Sequence, residues 1–177
     1  MAMTLIQSQT ANSDTTVSFT SGIDSTYPLY IFNFYDINPE TDSTSFRFQG
    51  NASDQSDYNE NLHTVFFYAR HDEADSSTSL LINATYDQAN ATTFAYLAPS
   101  IGNGGDESAA GQLWLYNPSS TVYKAHFQSR FNHYADNDFT YASFCGGYFN
   151  VAAAITNIQF AMESGDYDGT IKMYGVG

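Results

Sequence analysis

Apolar and aromatic residues recur at every second position along most of this chain, and almost nowhere at the three-and-four spacing of an amphipathic helix. Successive side chains of a strand point to opposite faces, so this alternation is what a half-buried strand requires and a helix cannot use. In YPLYIFNFYD, Tyr30, Phe32 and Phe34 share one face; in SFRFQG, Phe46 and Phe48 do; in GQLWLYN, Leu113 and Leu115 oppose Trp114 and Tyr116. VYKAHFQSRFNHY sets Ala125, Phe127, Ser129 and Phe131 against Lys124, His126, Gln128 and Arg130, the pattern of a strand with one face covered. ITNIQFAM and TIKMYG continue the pattern, and further strands are expected at TVSF, HTVFFYAR, ATTFAYL and TYASFCGGYF.

Between these runs lie clusters of Gly, Asn, Asp and Ser, such as QGNASDQSDYNEN, HDEADSSTS and IGNGGDESAAG. About ten strands at this spacing, with no helix between them, predict an all-β fold: an antiparallel β-sandwich, jelly-roll-like, forming one domain over residues 1–177. Residues 1–14 are expected as an N-terminal arm. ESGDYDG has the Gly and Asp of a tight turn and is expected to join ITNIQFAM and TIKMYG as a hairpin. The chain ends on an apolar alternating run, which predicts that the fold or a partner covers its last strand.

Charge narrows the function classes. Five Lys and Arg against 19 Asp and Glu give a net charge of −14, which disfavours nucleic acid and anionic membrane as partners. No apolar run approaches the roughly 20 residues of a spanning helix, so a soluble protein is expected. The opening MAMTLIQSQTANSDTT lacks the basic flank and apolar block of a signal peptide. Cys145 has no partner for a disulfide and sits in an aromatic setting, as a small buried hydrophobe would. The sequons at Asn51, Asn83 and Asn90 are read as chance in an Asn- and Thr-rich chain.

Candidate chemistry is sparse. His71, Asp72 and Glu73 are adjacent in sequence, so their side chains diverge on a strand or loop, and a solvated loop is expected. Asp166 and Asp168 before Gly169 resemble a fragment of a calcium loop, but no later bidentate acid follows. The donor-rich set Asp54, Asp57, Asn59 and Glu60 reads as a surface loop. No Gly-x-Ser-x-Gly elbow is present and Cys145 has no evident base, so no catalytic residue, cofactor or metal site is expected. Carboxylate pairs of the glycosidase kind cannot be recognised among so many acids, which leaves a carbohydrate-active enzyme as a residual alternative. Trp114, Tyr116 and Tyr123 flank NPSS and, with Tyr174, are candidates for sugar stacking or a subunit interface; open aromatics favour the first, occlusion between subunits the second.

YIFNFYDINPETDSTSFRFQG (30–50), ARHDEADSSTS (69–79), IGNGGDESAAGQLWLYNPSSTVYKAHFQSRFNHY (101–134) and QFAMESGDYDGTIKMYGVG resemble segments of structural proteins of tailed bacteriophages, notably those infecting marine bacteria and cyanobacteria. The ending GTIKMYGV is similar to their recurrent Gly-Thr-Ile-Lys-aliphatic-Tyr-Gly-Ile terminus. The resemblance implies a β-sandwich built into the virion and implies no catalytic residues. The chain is sandwich almost from its first Met, without the shaft of a tail fibre, so the expected role is a non-enzymatic capsid cement (decoration) protein. Such a protein, made in the bacterial host cytoplasm, would sit on the outer capsid surface as a homotrimer bound to the major capsid protein. A receptor- or carbohydrate-binding module of a tail fibre or spike is the alternative.

Overall fold

The computed structural model describes residues 2–53 and 55–177. Its regular structure is strand apart from one short 3-10 turn, Ala84–Tyr86. Thirteen strands follow in chain order: β1 (Met3–Asp14), β2 (Thr16–Phe19), β3 (Leu29–Pro39), β4 (Thr44–Ala52), β5 (Leu62–Asp72), β6 (Thr78–Ile82), β7 (Ala89–Ala91), β8 (Ala95–Ile101), β9 (Ala109–Tyr116), β10 (His126–Tyr134), β11 (Phe139–Phe149), β12 (Ile155–Met162) and β13 (Tyr167–Val176). The ten expected strands are present. The three additional ones are β1, β6 and β7, all at or beside a sheet edge, where sequence alternation is weakest.

Two antiparallel sheets pack face to face. The larger runs β1-β13-β3-β9-β10-β11-β5-β6, with β7 also on β5; the smaller runs β2-β12-β4-β8. The alternation read from the sequence sets which residues face inward. Phe32 and Phe34 of β3 and Phe127 and Phe131 of β10 meet Phe46 and Phe48 of β4 and Phe160 of β12. Phe34 lies edge-on to Phe160 at 4.9 Å and to Phe46 at 5.6 Å, and Phe48 lies edge-on to Phe127 at 4.9 Å. Such edge-to-face contacts add to the burial energy of each ring.

Two expectations are corrected. Residues 3–14 are not an arm: β1 pairs with β13 from Met3 opposite Val176 to Asp14 opposite Tyr167. ESGDYDG is not a hairpin turn, because β12 lies in the smaller sheet between β2 and β4, whereas β13 lies in the larger between β1 and β3. The turn carries the chain across the core. From its place in the larger sheet β13 buries Ile171 and Met173 completely inside the sandwich. The terminal run is thus covered on both edges by its own domain. Ile171 and Met173 point inward while Lys172 and Tyr174 take the opposite face.

His133 of β10 is an exception to the apolar interior. It is 2% exposed, its ring stacks on Tyr141 at 5.0 Å, and neither ring nitrogen has a hydrogen-bond partner among the described residues. Burial lowers its pKa from 6.5 to about 4; the Pro99 carbonyl opposes this only slightly and forms no well-directed hydrogen bond. The unfolded chain therefore takes up this proton before the folded one does. Stability from His133 is complete above about pH 6.5 and is lost as the pH falls toward 4, by about 3 kcal/mol in total. Urea unfolding at a series of pH values should show a shallower acid loss for His133→Phe than for the unaltered protein; parallel profiles would refute this account. Phe160→Ala, which removes a ring shared by both sheets, should lower the unfolding free energy by about 3 to 5 kcal/mol in the same measurement.

Candidate functional site

The outer face of the larger sheet is built by the side chains that the core does not take. On β9 these are Ala110, Gln112, Trp114 and Tyr116; on β10, His126, Gln128, Arg130, Asn132 and Tyr134. On β11 they are Thr140, Ala142, Phe144, Gly146 and Tyr148, and on β5, His63, Val65, Phe67, Ala69 and His71. None of these is Asp or Glu, although the chain carries 19 acids. Strand register aligns them in rows. One row runs Tyr116, His126, Tyr148, His63; the next runs Trp114, Gln128, Gly146, Val65.

Two adjacent glycines in β11 shape this surface. Gly147 faces inward, where a Cβ would lie 2.4 Å from the His63 carbonyl oxygen and 3.0 Å from the Phe127 ring, so the close approach of β5 and β10 leaves no room for a side chain. Gly146 faces outward, and a Cβ there would meet nothing within 4 Å. Its missing side chain leaves two hollows that share Gly146, Val65 and Gln128. One, of about 550 Å³, is walled by His63, Tyr116, His126 and Tyr148; the other, of about 380 Å³, by Phe67, Trp114, Arg130 and Phe144.

The walls are held by contacts among themselves. The His63 and Tyr148 rings stack at 5.4 Å and 20°, and Phe67 and Phe144 at 4.9 Å and 9°. Gln128 Nε2 donates to the Tyr116 hydroxyl at 2.6 Å. The Arg130 guanidinium carbon lies 5.7 Å from the Phe144 ring centre, and Lys124 Nζ lies 4.9 Å from that of Tyr148, distances at which a cation is attracted to the ring face. Lys124 also donates to Asn150 Oδ1.

The four aromatic candidates separate. Trp114 and Tyr116 are half-buried walls of the two hollows. Tyr174 is on the same face, in register with Ile31 and through it with Trp114, two strands away and outside the hollows. Tyr123 is 73% exposed in the connection between β9 and β10 and lines neither hollow. Sequence reading missed Tyr148, Phe144, Gly146, His63 and His126. Alternation in TYASFCGGYF and HTVFFYAR places them on one face of their own strands, but only cross-strand register brings them beside Trp114.

The remaining candidates serve local structure. Asp72 accepts from the Ser76 hydroxyl and from the amides of Ser76 and Ser77, and those bonds, the Ser76 hydroxyl first, hold its pKa below the usual value. His71 faces Asp75 at 3.2 Å, and Glu73 lies in the exposed β5–β6 turn. Asp166 accepts from Thr15 Oγ1 and Asp168 from the Ser13 amide, so both acids fasten the β1–β2 connection. Glu60 accepts from the Ala52 amide; Asp54 lies outside the described residues. Cys145 is buried, which pushes its thiol pKa up to about 12 and leaves it unreactive at neutral pH. Among the described residues, no three His, Cys, Asp or Glu side chains converge as a metal site would require.

No family model matches the chain, and no curated protein matches it. Among solved structures it is similar to a legume lectin-like domain from Entamoeba histolytica, with 11% identity over 99% of this chain and 90% of that one and a TM-score of 0.38.

The glycine pair yields a contrast in stability. Gly147→Ala should cost about 1 to 3 kcal/mol through overpacking, whereas Gly146→Leu should be neutral or slightly stabilising, since a strand glycine is replaced in open space. Urea unfolding of both variants checks this, and equal losses would show that the hollow is not open as described.

Proposed function

We propose that this chain is a non-enzymatic virion structural protein of the capsid cement kind, assembling as a homotrimer that binds across major capsid subunits on the outer surface of a phage head. The resemblance of four segments to phage structural proteins motivates the assignment. The observation that carries it is the pair of uncovered edges. On one side the larger sheet ends in β6, where Leu80 is 73% and Ile82 77% exposed beside exposed Val65 and Phe67. On the other it ends in β1, with Met3 and Leu5 exposed.

Unpaired edges that expose apolar side chains invite pairing, and neither is blunted by Lys or Pro: β6 is short and apolar, and β1 is long and carries Met3 and Leu5 at its start. Two different edges on opposite sides of one sheet suit a head-to-tail contact, which closes into a ring when the rotation allows. A trimer that binds only the assembled shell would stabilise it by mass action against the outward pressure of packaged DNA. Net charge of −14 per copy keeps the exposed surface solvated at high local density.

Light scattering should give three times the 19.5 kDa chain mass, and purified protein added to empty shells of the major capsid protein should appear as ordered external density. Leu80→Glu with Ile82→Glu should reduce both trimer and decoration. A stable monomer at micromolar concentration that leaves shells bare would overturn the proposal.

A second reading, a receptor- or carbohydrate-binding module of a tail fibre or spike, is favoured by the hollows around Trp114 and Tyr116. They open on the sheet face and share only Val65 and Phe67 with the β6 edge.

A further inference from the structure

We propose that the paired hollows over Gly146 form a binding site for an acidic saccharide, an oligosaccharide whose rings carry carboxylates. The inference rests on the carbohydrate-binding reading and specifies its ligand class. The walls alternate aromatic surface with hydrogen-bonding groups: Trp114 and the rim of the Tyr148 ring offer apolar surface, while Gln128, His126 and the Tyr116 hydroxyl offer donors and acceptors within the same depression. A sugar ring has this duality, with C–H bonds on its faces and hydroxyls on its rim. A purely apolar ligand would leave the polar groups unpaired, and each such loss weakens binding.

The row from His63 to Tyr116 crosses four strands, about 14 Å at the usual strand spacing. An extended ligand lying across the strands fits it better than a single ring.

Charge selects the acidic class. In a chain of net charge −14, the outward positions of β9, β10, β11 and β5 carry no acid, and one cation meets an aromatic wall of each hollow: Arg130, itself a wall, at Phe144 and Lys124 at Tyr148. Among the described residues neither cation has a carboxylate within salt-bridge distance; the ion pairs are Arg47 with Glu163 and His71 with Asp75. Both cations are thus held by ring faces at the rim of a hollow, without a counter-charge from the protein. A carboxylate on a sugar packed over the rim of the Tyr148 or Phe144 ring would supply it with a charge-assisted hydrogen bond.

Calorimetric titration of the full chain with oligogalacturonate, a neutral malto-oligosaccharide of equal length and poly-glutamate tests this. The uronate should bind at least about tenfold more tightly than the neutral sugar, and the gap should narrow as added salt screens the charges. Arg130→Gln with Lys124→Gln should remove that preference, bringing the two sugars to equal affinity. Gly146→Leu should abolish binding of both sugars with a thermal midpoint no lower than that of the unaltered protein. Equal affinity for uronate and neutral sugar would overturn the acidic class and leave the carbohydrate-binding reading standing. Binding of neither sugar would overturn both. Poly-glutamate binding as tightly as the uronate, indifferent to Gly146→Leu, would show a merely cationic surface and overturn the site.

Discussion

The phenylalanine contacts between the two sheets are the constraint from which the rest of this structure follows. Phe34, Phe46 and Phe160 come from three strands in two sheets and meet within 4.9 to 6.0 Å of one another. A one-residue slip of any of these strands would turn its rings to solvent and bring polar neighbours into the core, so the rings lock register as well as burial. Once register is locked on the inner face, the outer face has no freedom. Tyr148 stands beside His126, and Gly146 beside Gln128, because Phe149 and Phe127 must be inside.

The inequality of the sheets has its own consequence. Four strands cannot cover the inner face of nine, and the region behind β5 and β11 is closed by other means. Tyr86 of the 3-10 turn packs edge-on to Phe66 at 5.2 Å and against Tyr96 at 4.8 Å, and Asp87 accepts from the Phe66 amide. The segment after β6 therefore folds back over the core, leaving β6 itself as a projecting edge whose leucines and isoleucine have nothing to cover them. The apolar edge is a by-product of how the larger sheet is sealed.

The same frame separates the acids from the sheet face. Asp72, Asp166, Asp168 and Glu60 are engaged by backbone amides and hydroxyls at strand ends and turns, where short acceptors satisfy groups that the ladders leave free. Aromatic and β-branched residues take the strand interiors, where pleated surfaces favour them. The outward positions of β9, β10, β11 and β5 are thereby left without an acid in a chain of net charge −14.

Alternation alone determined the fold class, ten of the strands and which residues share a face, such as Phe127 with Phe131 or Trp114 with Tyr116, because the period of 2 is a local property of the extended chain. It also set Trp114 and Tyr116 opposite Leu113 and Leu115, and the structure decides that theirs is the outer face. Sheet membership was not legible: ESGDYDG has the chemistry of a hairpin turn, yet β12 and β13 part to opposite sheets, since turn residues fix a local bend and only the competition for core volume decides which strand pairs with which. β1, with its polar and weakly alternating sequence, gains its place from backbone pairing with β13, which no side-chain pattern announces. The site belongs to the same category. His63, His126, Tyr148 and Trp114 come from four separate strands, and only tertiary register sets them around a glycine whose missing side chain becomes, in that company, a space.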